Sequence, residues 1–126
     1  MRLCDDSVVT STVLIVDDHP SFRATARAVL EADGFEVVGE AKDGREALRL
    51  ALDLHPEIVL LDVQLPDSTG FEVAAELARS NGGAPAIVLV SSREASDYGD
   101  LIGGCGARGF IPKGELSGPA VRAFLG

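Results

Sequence analysis

Three aspartates stand directly after short apolar runs, where a carboxylate could do chemistry at the edge of a sheet. Asp17 and Asp18 follow residues 13–16, and Asp62 follows residues 58–61. Runs of branched apolar side chains are typical of strands buried on both faces of a parallel sheet. Three like charges at one edge need a proton or a divalent cation, and carboxylate oxygens suit Mg²⁺. For any one of these acids alone, capping of the following loop is the better interpretation.

A serine and a lysine follow two further apolar runs. Ser91 comes directly after residues 87–90, and Lys113 follows residues 109–112. Each alone is more often a cap or a surface residue, but both are predicted at the same edge as Asp62. A cation and the Lys113 ammonium could hold the oxygens of a phosphoryl group. In-line attack by Asp62 on phosphorus would then give an acyl phosphate.

Residues 104–109 satisfy the pattern G-x-G-x-x-G, which is found in dinucleotide-binding sites. That fingerprint follows a strand and opens a helix, whereas these glycines end a predicted helix and open a strand. We therefore interpret them as a helix-to-strand turn. FMN is a further alternative for this architecture, but Asp17 and Asp18 in the first loop would repel its phosphate.

Five apolar runs alternate with amphipathic segments along the chain. The runs are residues 13–16, 35–38, 58–61, 87–90 and 109–111. Apolar side chains recur at helical spacing between and after them: Phe22, Ala26, Val29 and Leu30; Ala47, Leu48 and Ala51; Phe71, Ala74, Ala75 and Ala78; and Leu116, Ala120 and Phe124. This alternation predicts a flavodoxin-like (βα)5 three-layer α/β sandwich with a parallel sheet of order 2-1-3-4-5. In that order the first and third strands are neighbours, so the three aspartates meet.

The segment between the fourth and fifth strands is poor in helix signals. Residues 96–104 carry three glycines and few apolar anchors. An interior glycine costs a helix about 1 kcal/mol relative to alanine. We therefore expect the fourth helix to be the least stable and the most able to move.

Length and charge narrow the class of protein further. The 126 residues suffice for one domain with a sizeable core, and a net charge of −9 disfavours non-specific binding to nucleic acid or an anionic membrane. No apolar run is long enough to cross a bilayer, and the start of the chain is not a signal peptide. Cys4 and Cys105 match no metal or redox spacing, so reduced thiols are favoured over a bridge.

Four separated motifs together resemble the receiver domain of bacterial two-component response regulators, including the chemotaxis regulators. They are VLIVDDH at residues 13–19, LDVQLP at 61–66 continuing to Gly70, Ser91 after the fourth strand, and GFIPK at 109–113. The resemblance covers residues 12–125, with the motifs in the family's order. It divides the chain into an N-terminal extension, residues 1–11, and a receiver domain, residues 12–126.

The resemblance implies a role for each residue of the acidic edge. Asp62 would be the phosphoacceptor, and Lys113 would hold a phosphoryl oxygen. Asp17 and Asp18 would serve Mg²⁺, with Asp18 as the direct ligand. The main-chain carbonyl of Gln64 would be a further metal ligand, completing a set that includes Asp62.

The resemblance also implies a switch pair, Ser91 and Phe110. After phosphorylation this pair would reshape the face formed by the fourth helix, the fifth strand and the fifth helix. An ordinary core aromatic is the alternative for Phe110.

This chain has Gly114 where many relatives have proline, so their cis Lys-Pro bond is not available. Phe110 replaces a frequent tyrosine, so a hydroxyl contact in the switch is expected to be missing. Gln64 and Arg93 flank the path of attacking water, and we hypothesise that they set the acyl-phosphate lifetime.

The implied partner is a sensor histidine kinase or a phosphotransfer protein, and the implied location is the cytoplasm. The chain is expected to be a signalling receiver, not an enzyme beyond its own phosphotransfer and slow autodephosphorylation. It would act alone, or as the N-terminal receiver of a DNA-binding regulator without binding DNA itself. A phosphorylation-dependent homodimer is compatible with either. A metal-dependent phosphohydrolase ranks lower, because its acids would lie two apart on one strand.

Overall fold

Strands and helices alternate along the chain as the apolar runs predict. The structure is a computed structural model that describes residues 11–79 and 84–125. The elements are β1 (Thr12–Val16), α1 (Pro20–Ala32), β2 (Glu36–Ala41), α2 (Gly44–Leu54), β3 (Ile58–Asp62), α3 (Gly70–Ala78), β4 (Ala86–Ser91), a 3₁₀ turn (Ala95–Asp97), α4 (Leu101–Gly104), β5 (Gly109–Pro112), a second 3₁₀ turn (Lys113–Glu115) and α5 (Gly118–Arg122).

The five strands form one parallel sheet in the order β2-β1-β3-β4-β5. The predicted flavodoxin-like (βα)5 fold with strand order 2-1-3-4-5 is therefore confirmed. The register aligns the carboxyl ends of the strands: Val16 pairs with Leu61, Asp62 with Val90, and Ser91 with Pro112. The residues that follow these positions consequently emerge at one edge of the sheet.

The strands carry apolar side chains on both faces, because a parallel sheet is covered by helices on both sides. Leu14, Val59 and Leu89 belong to the core cluster shared with α2 and α3. Their neighbours Leu60 and Val88 belong to the cluster shared with α1 and α5, as the period of two in a strand requires. Close packing of these buried side chains holds the strand ends in place. Truncating one of these leucines to alanine would lower the free energy of unfolding by about 2–5 kcal/mol.

Side-chain caps define where the helices next to the acidic edge begin. Asp43 accepts a hydrogen bond from the Glu46 N–H at the start of α2. Thr69 and Glu72 form a reciprocal capping box at the start of α3. Such caps contribute about 1 kcal/mol each. The Asp67 carboxylate ties the two regions together, because it accepts from the first main-chain N–H groups of α2 at 2.8 and 3.0 Å.

Several predicted boundaries and faces differ from the structure. The second strand was expected at residues 35–38, but β2 begins at Glu36 and continues to Ala41. On α3 the buried side chains include Val73 and Leu77, whereas Ala78 is exposed. A stripe of alanines fits either face of a helix, and the larger side chains decide which face is buried. The sequence also predicts that the third helix ends at Asn81, Gly82 and Gly83, but these residues lie outside the described ones.

The last third of the chain forms shorter helices than predicted. α4 has four residues and α5 has five, so Leu116 and Phe124 lie outside α5, although both pack against the same core cluster as Ala120. Gly104 ends α4 and Gly109 begins β5, which confirms the helix-to-strand turn. Cys4 and all but Ser11 of the predicted N-terminal extension lie outside the described residues. In the described part of the chain, no helix is long and apolar enough to cross a membrane.

Candidate functional site

The predicted aspartates meet at the carboxyl edge of β1 and β3. Asp17 is fully buried and Asp62 is 3% exposed, whereas Asp18 is exposed. One ligand atom from each of Asp17, Asp18, His19 and Asp62 lies within 4.8 Å of the others. This is the spacing of a group that could hold one metal ion.

Lys113 reaches the same group from the end of β5. Its Nζ lies 2.6 Å from Asp17 Oδ2 and 3.6 Å from Asp62 Oδ2. The same atom lies 4.6 Å from the centroid of the Phe22 ring, close enough for a cation–π contact. The ammonium is thus placed between the two buried carboxylates, with an aromatic ring of α1 beside it.

The two carboxylate oxygens of Asp17 have different partners. Oδ1 accepts from the main-chain N–H of His19 at 2.8 Å and lies 2.9 Å from the ring Nδ1. Oδ2 is buried and has no hydrogen bond of good geometry, although the Lys113 ammonium lies 2.6 Å away. This buried oxygen is therefore a position that attracts a cation.

The environment of Asp62 disfavours its negative charge. Burial raises the pKa of Asp62 from 3.8 to about 6, and the charge of Asp17 adds to the rise. The Lys113 ammonium and the N–H of Gln64 act in the opposite direction. One lysine therefore does not neutralise the cluster. A divalent cation would, and the described donors are the oxygens that Mg²⁺ prefers.

The loop after β3 turns away sharply at Asp62. The Gln64 N–H donates to Asp62 Oδ1 at 3.3 Å, and Gln64 forms an isolated antiparallel bridge with Thr69. Gly70 then donates its N–H to the Val63 carbonyl at 2.7 Å. A Cβ on Gly70 would lie 2.5 Å from the Asp62 main-chain oxygen, so glycine is required for this approach. The Gln64 side chain is exposed, and its carbonyl as a metal ligand stays a prediction.

Ser91 ends β4 and is buried beside Asp62's strand. Its Oγ accepts from the Arg93 N–H at 3.0 Å and lies 2.7 Å from the hydroxyl of Tyr98. The Tyr98 ring contacts Phe110, with centroids 5.8 Å apart. Phe110 itself carries no hydroxyl, as the sequence indicates, and the hydroxyl that contacts Ser91 belongs to Tyr98 of another segment. The switch role of Ser91 and Phe110 stays a prediction. The Arg93 side chain is exposed, and its role in phosphate lifetime stays a prediction.

Sequence reasoning missed three residues that shape this edge. His19 lies within the metal-ligand group, Arg23 donates to the Asp17 carbonyl at 2.7 Å, and Tyr98 bonds Ser91. His19 directly follows the paired aspartates, so its position was a usable signal. Arg23 sits one helical turn into α1, where a charged residue is normally read as solvent-facing. Tyr98 lies in a glycine-rich segment without periodicity, which offers no signal.

Fold and geometry define a class: a flavodoxin-like domain with an acidic, lysine-containing site at the carboxyl edge of its sheet. Fold alone does not imply function, but the family comparison does. Residues 13–118 match the model of the response regulator receiver domain. The chain therefore belongs to the response regulator receiver domain family and is a signalling domain of two-component systems.

Individual relatives agree with this assignment. The chain is 37% identical over 113 residues to the response regulator GacA of Pseudomonas viridiflava, which covers 89% of this chain and 52% of GacA. It is 37% identical over 103 residues to BvgA of Bordetella pertussis, named as a positive transcription regulator of virulence factors, which covers 82% of this chain and 49% of BvgA. The chain thus spans about half the length of these relatives.

A solved structure supports the same conclusion. The two-component response regulator of the LuxR family from Aurantimonas sp. SI85-9A1 superposes with a TM-score of 0.82 at 31% identity. The match covers 93% of this chain and 84% of that one. The overall fold is therefore that of this response regulator.

Proposed function

We propose that Asp62 is the phosphoacceptor of this receiver domain, taken as residues 12–126. The observation that carries the proposal is the buried Asp62 carboxylate at the end of β3, with the Lys113 ammonium 3.6 Å from its Oδ2. In the reaction, the bond between phosphorus and the donor's nitrogen or oxygen breaks as a bond to an Asp62 oxygen forms. The product is an aspartyl phosphate.

Mg²⁺ is the cofactor that fits the donor set. Asp17, Asp18, Asp62 and the Gln64 carbonyl would hold it, and the ligand atoms of the three aspartates, which lie within 4.8 Å of one another, support this assignment. When bound, the cation would neutralise charge on the phosphoryl oxygens. Asp18 is the exposed one of the three aspartates, so it is the carboxylate that a hydrated ion reaches from solvent.

Lys113 and Ser91 complete the site from the ends of β5 and β4. The Lys113 ammonium already bridges Asp17 and Asp62. Its positive charge is therefore close enough to attract an equatorial oxygen of a phosphoryl group on Asp62. The Ser91 hydroxyl lies at the end of the strand next to β3 and can donate to another. Phe110 is partly buried beside Tyr98, and its ring would follow the movement of Ser91.

The partners follow from the chemistry of the family. A sensor histidine kinase or a phosphotransfer protein would supply the phosphoryl group in the cytoplasm, and the domain's only catalysis would be its own phosphotransfer and slow dephosphorylation. Relatives that this chain matches over about half of their length, one of them named as a transcription regulator, favour control of a transcriptional output over a receiver acting alone. A phosphorylation-dependent homodimer is compatible with that output. Reading the gene beyond residue 126 tests the choice.

A direct test uses a small phosphodonor, so that no cognate kinase is needed. The protein is incubated with acetyl phosphate or phosphoramidate and Mg²⁺, and intact mass is recorded. We expect one phosphate in the wild type and none in Asp62→Asn. Asp53→Asn is the matched control, since it removes an exposed carboxylate of α2 and should keep the adduct. An adduct that survives Asp62→Asn, or none in the wild type, would overturn the proposal.

A further inference from the structure

The hydrogen bond between Ser91 and Tyr98 links the proposed phosphoacceptor site to the segment before α4. Ser91 is 1% exposed, and its Oγ lies 2.7 Å from the Tyr98 hydroxyl oxygen. Tyr98 is partly exposed and follows the 3₁₀ turn Ala95–Asp97. The bond therefore crosses from the rigid end of β4 to a segment with little helix.

The donor in this bond can be assigned by accounting for the Ser91 proton. A serine hydroxyl has one proton and two acceptor positions. The Arg93 N–H fills one acceptor position at 3.0 Å. Among the described residues, the Tyr98 oxygen is the one acceptor within reach of the Ser91 proton. Tyr98 is partly exposed and Ser91 is buried, and a buried serine proton without an acceptor would be costly.

Two aromatic contacts hold the phenol in this position. The Tyr98 ring packs edge-on against Phe71 of α3, with centroids 5.4 Å apart, and lies 5.8 Å from the Phe110 ring of β5. Such pairs favour a defined ring geometry. Behind Tyr98, α4 is four residues long and ends in two glycines. Aromatic contacts therefore hold the Tyr98 ring, whereas the chain that follows it has little helical structure.

We propose that Tyr98 is a latch on Ser91, resting on the proposed function of Asp62. In the unphosphorylated domain, the Tyr98 oxygen holds the Ser91 proton. A phosphoryl group on Asp62 offers charged oxygens, which accept hydrogen bonds more strongly than a phenol. Because Ser91 has one proton, bonding to the phosphoryl group ends its donation to Tyr98 and weakens the tie between Ser91 and the segment leading into α4. Tyr98 supplies from this segment the hydroxyl that Phe110 lacks.

The first test measures whether Tyr98 opposes the phosphoryl group through Ser91. Tyr98→Phe keeps the ring and removes the hydroxyl. Loss of one competing hydrogen bond should tighten binding of beryllofluoride, a phosphoryl analogue, roughly two- to tenfold in the presence of Mg²⁺. In a Ser91→Ala background the same change should have no effect, as a double-mutant cycle requires. Weaker or unchanged binding in Tyr98→Phe, or equal tightening in both backgrounds, would overturn the latch.

A packing control separates the hydroxyl from the aromatic cluster. Phe71→Leu loosens the ring that contacts Tyr98 without touching the phenol oxygen. It should not tighten beryllofluoride binding. Tightening equal to that of Tyr98→Phe would show that loosened packing, and not the hydrogen bond, is responsible.

The second test observes the latch in the wild-type protein. The chain has one tyrosine, so tyrosine labelled with ¹³C at Cζ gives a single NMR resonance that senses the phenol's hydrogen bonds. Beryllofluoride and Mg²⁺ should move this resonance to the position it has in Ser91→Ala without the analogue. If mass shows a phosphate on Asp62 while the resonance stays in place, the latch is overturned and the proposed function stands. If no adduct forms, both are overturned.

Discussion

The charge of Asp62 should make the metal-free domain less stable at neutral pH, and Asp62→Asn should remove this cost. The folded-state pKa of Asp62 is raised from 3.8 to about 6, first by burial and then by the charge of Asp17. Between these pH values the folded protein binds more protons than the unfolded chain. The free energy of unfolding of the wild type therefore falls as pH rises through this window. Asparagine has no proton to lose.

The magnitude follows from the same pKa. A rise from 3.8 to about 6 corresponds to about 3 kcal/mol once Asp62 is fully ionised. Solvent and salt at the open edge of the site screen part of this, so we expect about 1–2 kcal/mol. Asp62→Asn should thus be more stable than the wild type by this amount near pH 8, and the difference should vanish near pH 4.

The assay is urea unfolding at several pH values in EDTA, repeated with Mg²⁺. A cation that binds only the folded state stabilises it, so Mg²⁺ should stabilise the wild type at pH 8 more than Asp62→Asn. The exposed Asp53→Asn is the control and should stay within about 0.5 kcal/mol of the wild type throughout. If Asp62→Asn is less stable than the wild type at pH 8, or if the difference in stability between the two does not change with pH, ionisation of Asp62 does not destabilise the folded protein.

Three further predictions address the rest of the site. Gly70→Ala places a Cβ 2.5 Å from the main-chain oxygen of Asp62 and should lower the free energy of unfolding by about 1–3 kcal/mol. Gly114→Ala is the control, because its Cβ would have nothing within 4 Å. Equal urea midpoints of the two variants would contradict this prediction. Lys113→Gln should slow phosphorylation by acetyl phosphate at least tenfold, as the loss of about 1.4 kcal/mol of transition-state stabilisation implies; an unchanged rate by mass would exclude a role for the ammonium. Gln64→Ala and Arg93→Ala should each speed autodephosphorylation a few-fold by opening the path of water, and unchanged decay of the adduct would end that hypothesis.

The fold could be predicted because its strands follow a simple rule. Each buried parallel strand is a short apolar run, and strict alternation with helices leaves few topologies. The edge strand β2 departs from the rule, and its boundaries were missed for that reason. Its pairing with β1 shifts register between Val13 and Leu14. Beyond that point Gly39 and Glu40 break the apolar pattern, although both belong to the strand.

The site could be predicted to the extent that strand ends place it. Asp62 and Ser91 end strands, Asp17 and Lys113 directly follow strands, and the sheet register brings such residues to one edge whatever the loops do. Tyr98 could not be predicted, because it belongs to a glycine-rich segment whose path is set by aromatic packing. Contacts of that kind leave no periodic trace in a sequence.

Chemical mapping can show directly whether Asp62 carries the phosphoryl group. Borohydride reduces an aspartyl phosphate to homoserine, which peptide mass spectrometry locates in the chain. After treatment with acetyl phosphate and Mg²⁺, we predict homoserine at position 62 and at no other aspartate. An unmodified Asp62 in protein that has taken up phosphate, or homoserine at another position, would show that Asp62 is not the sole phosphoacceptor.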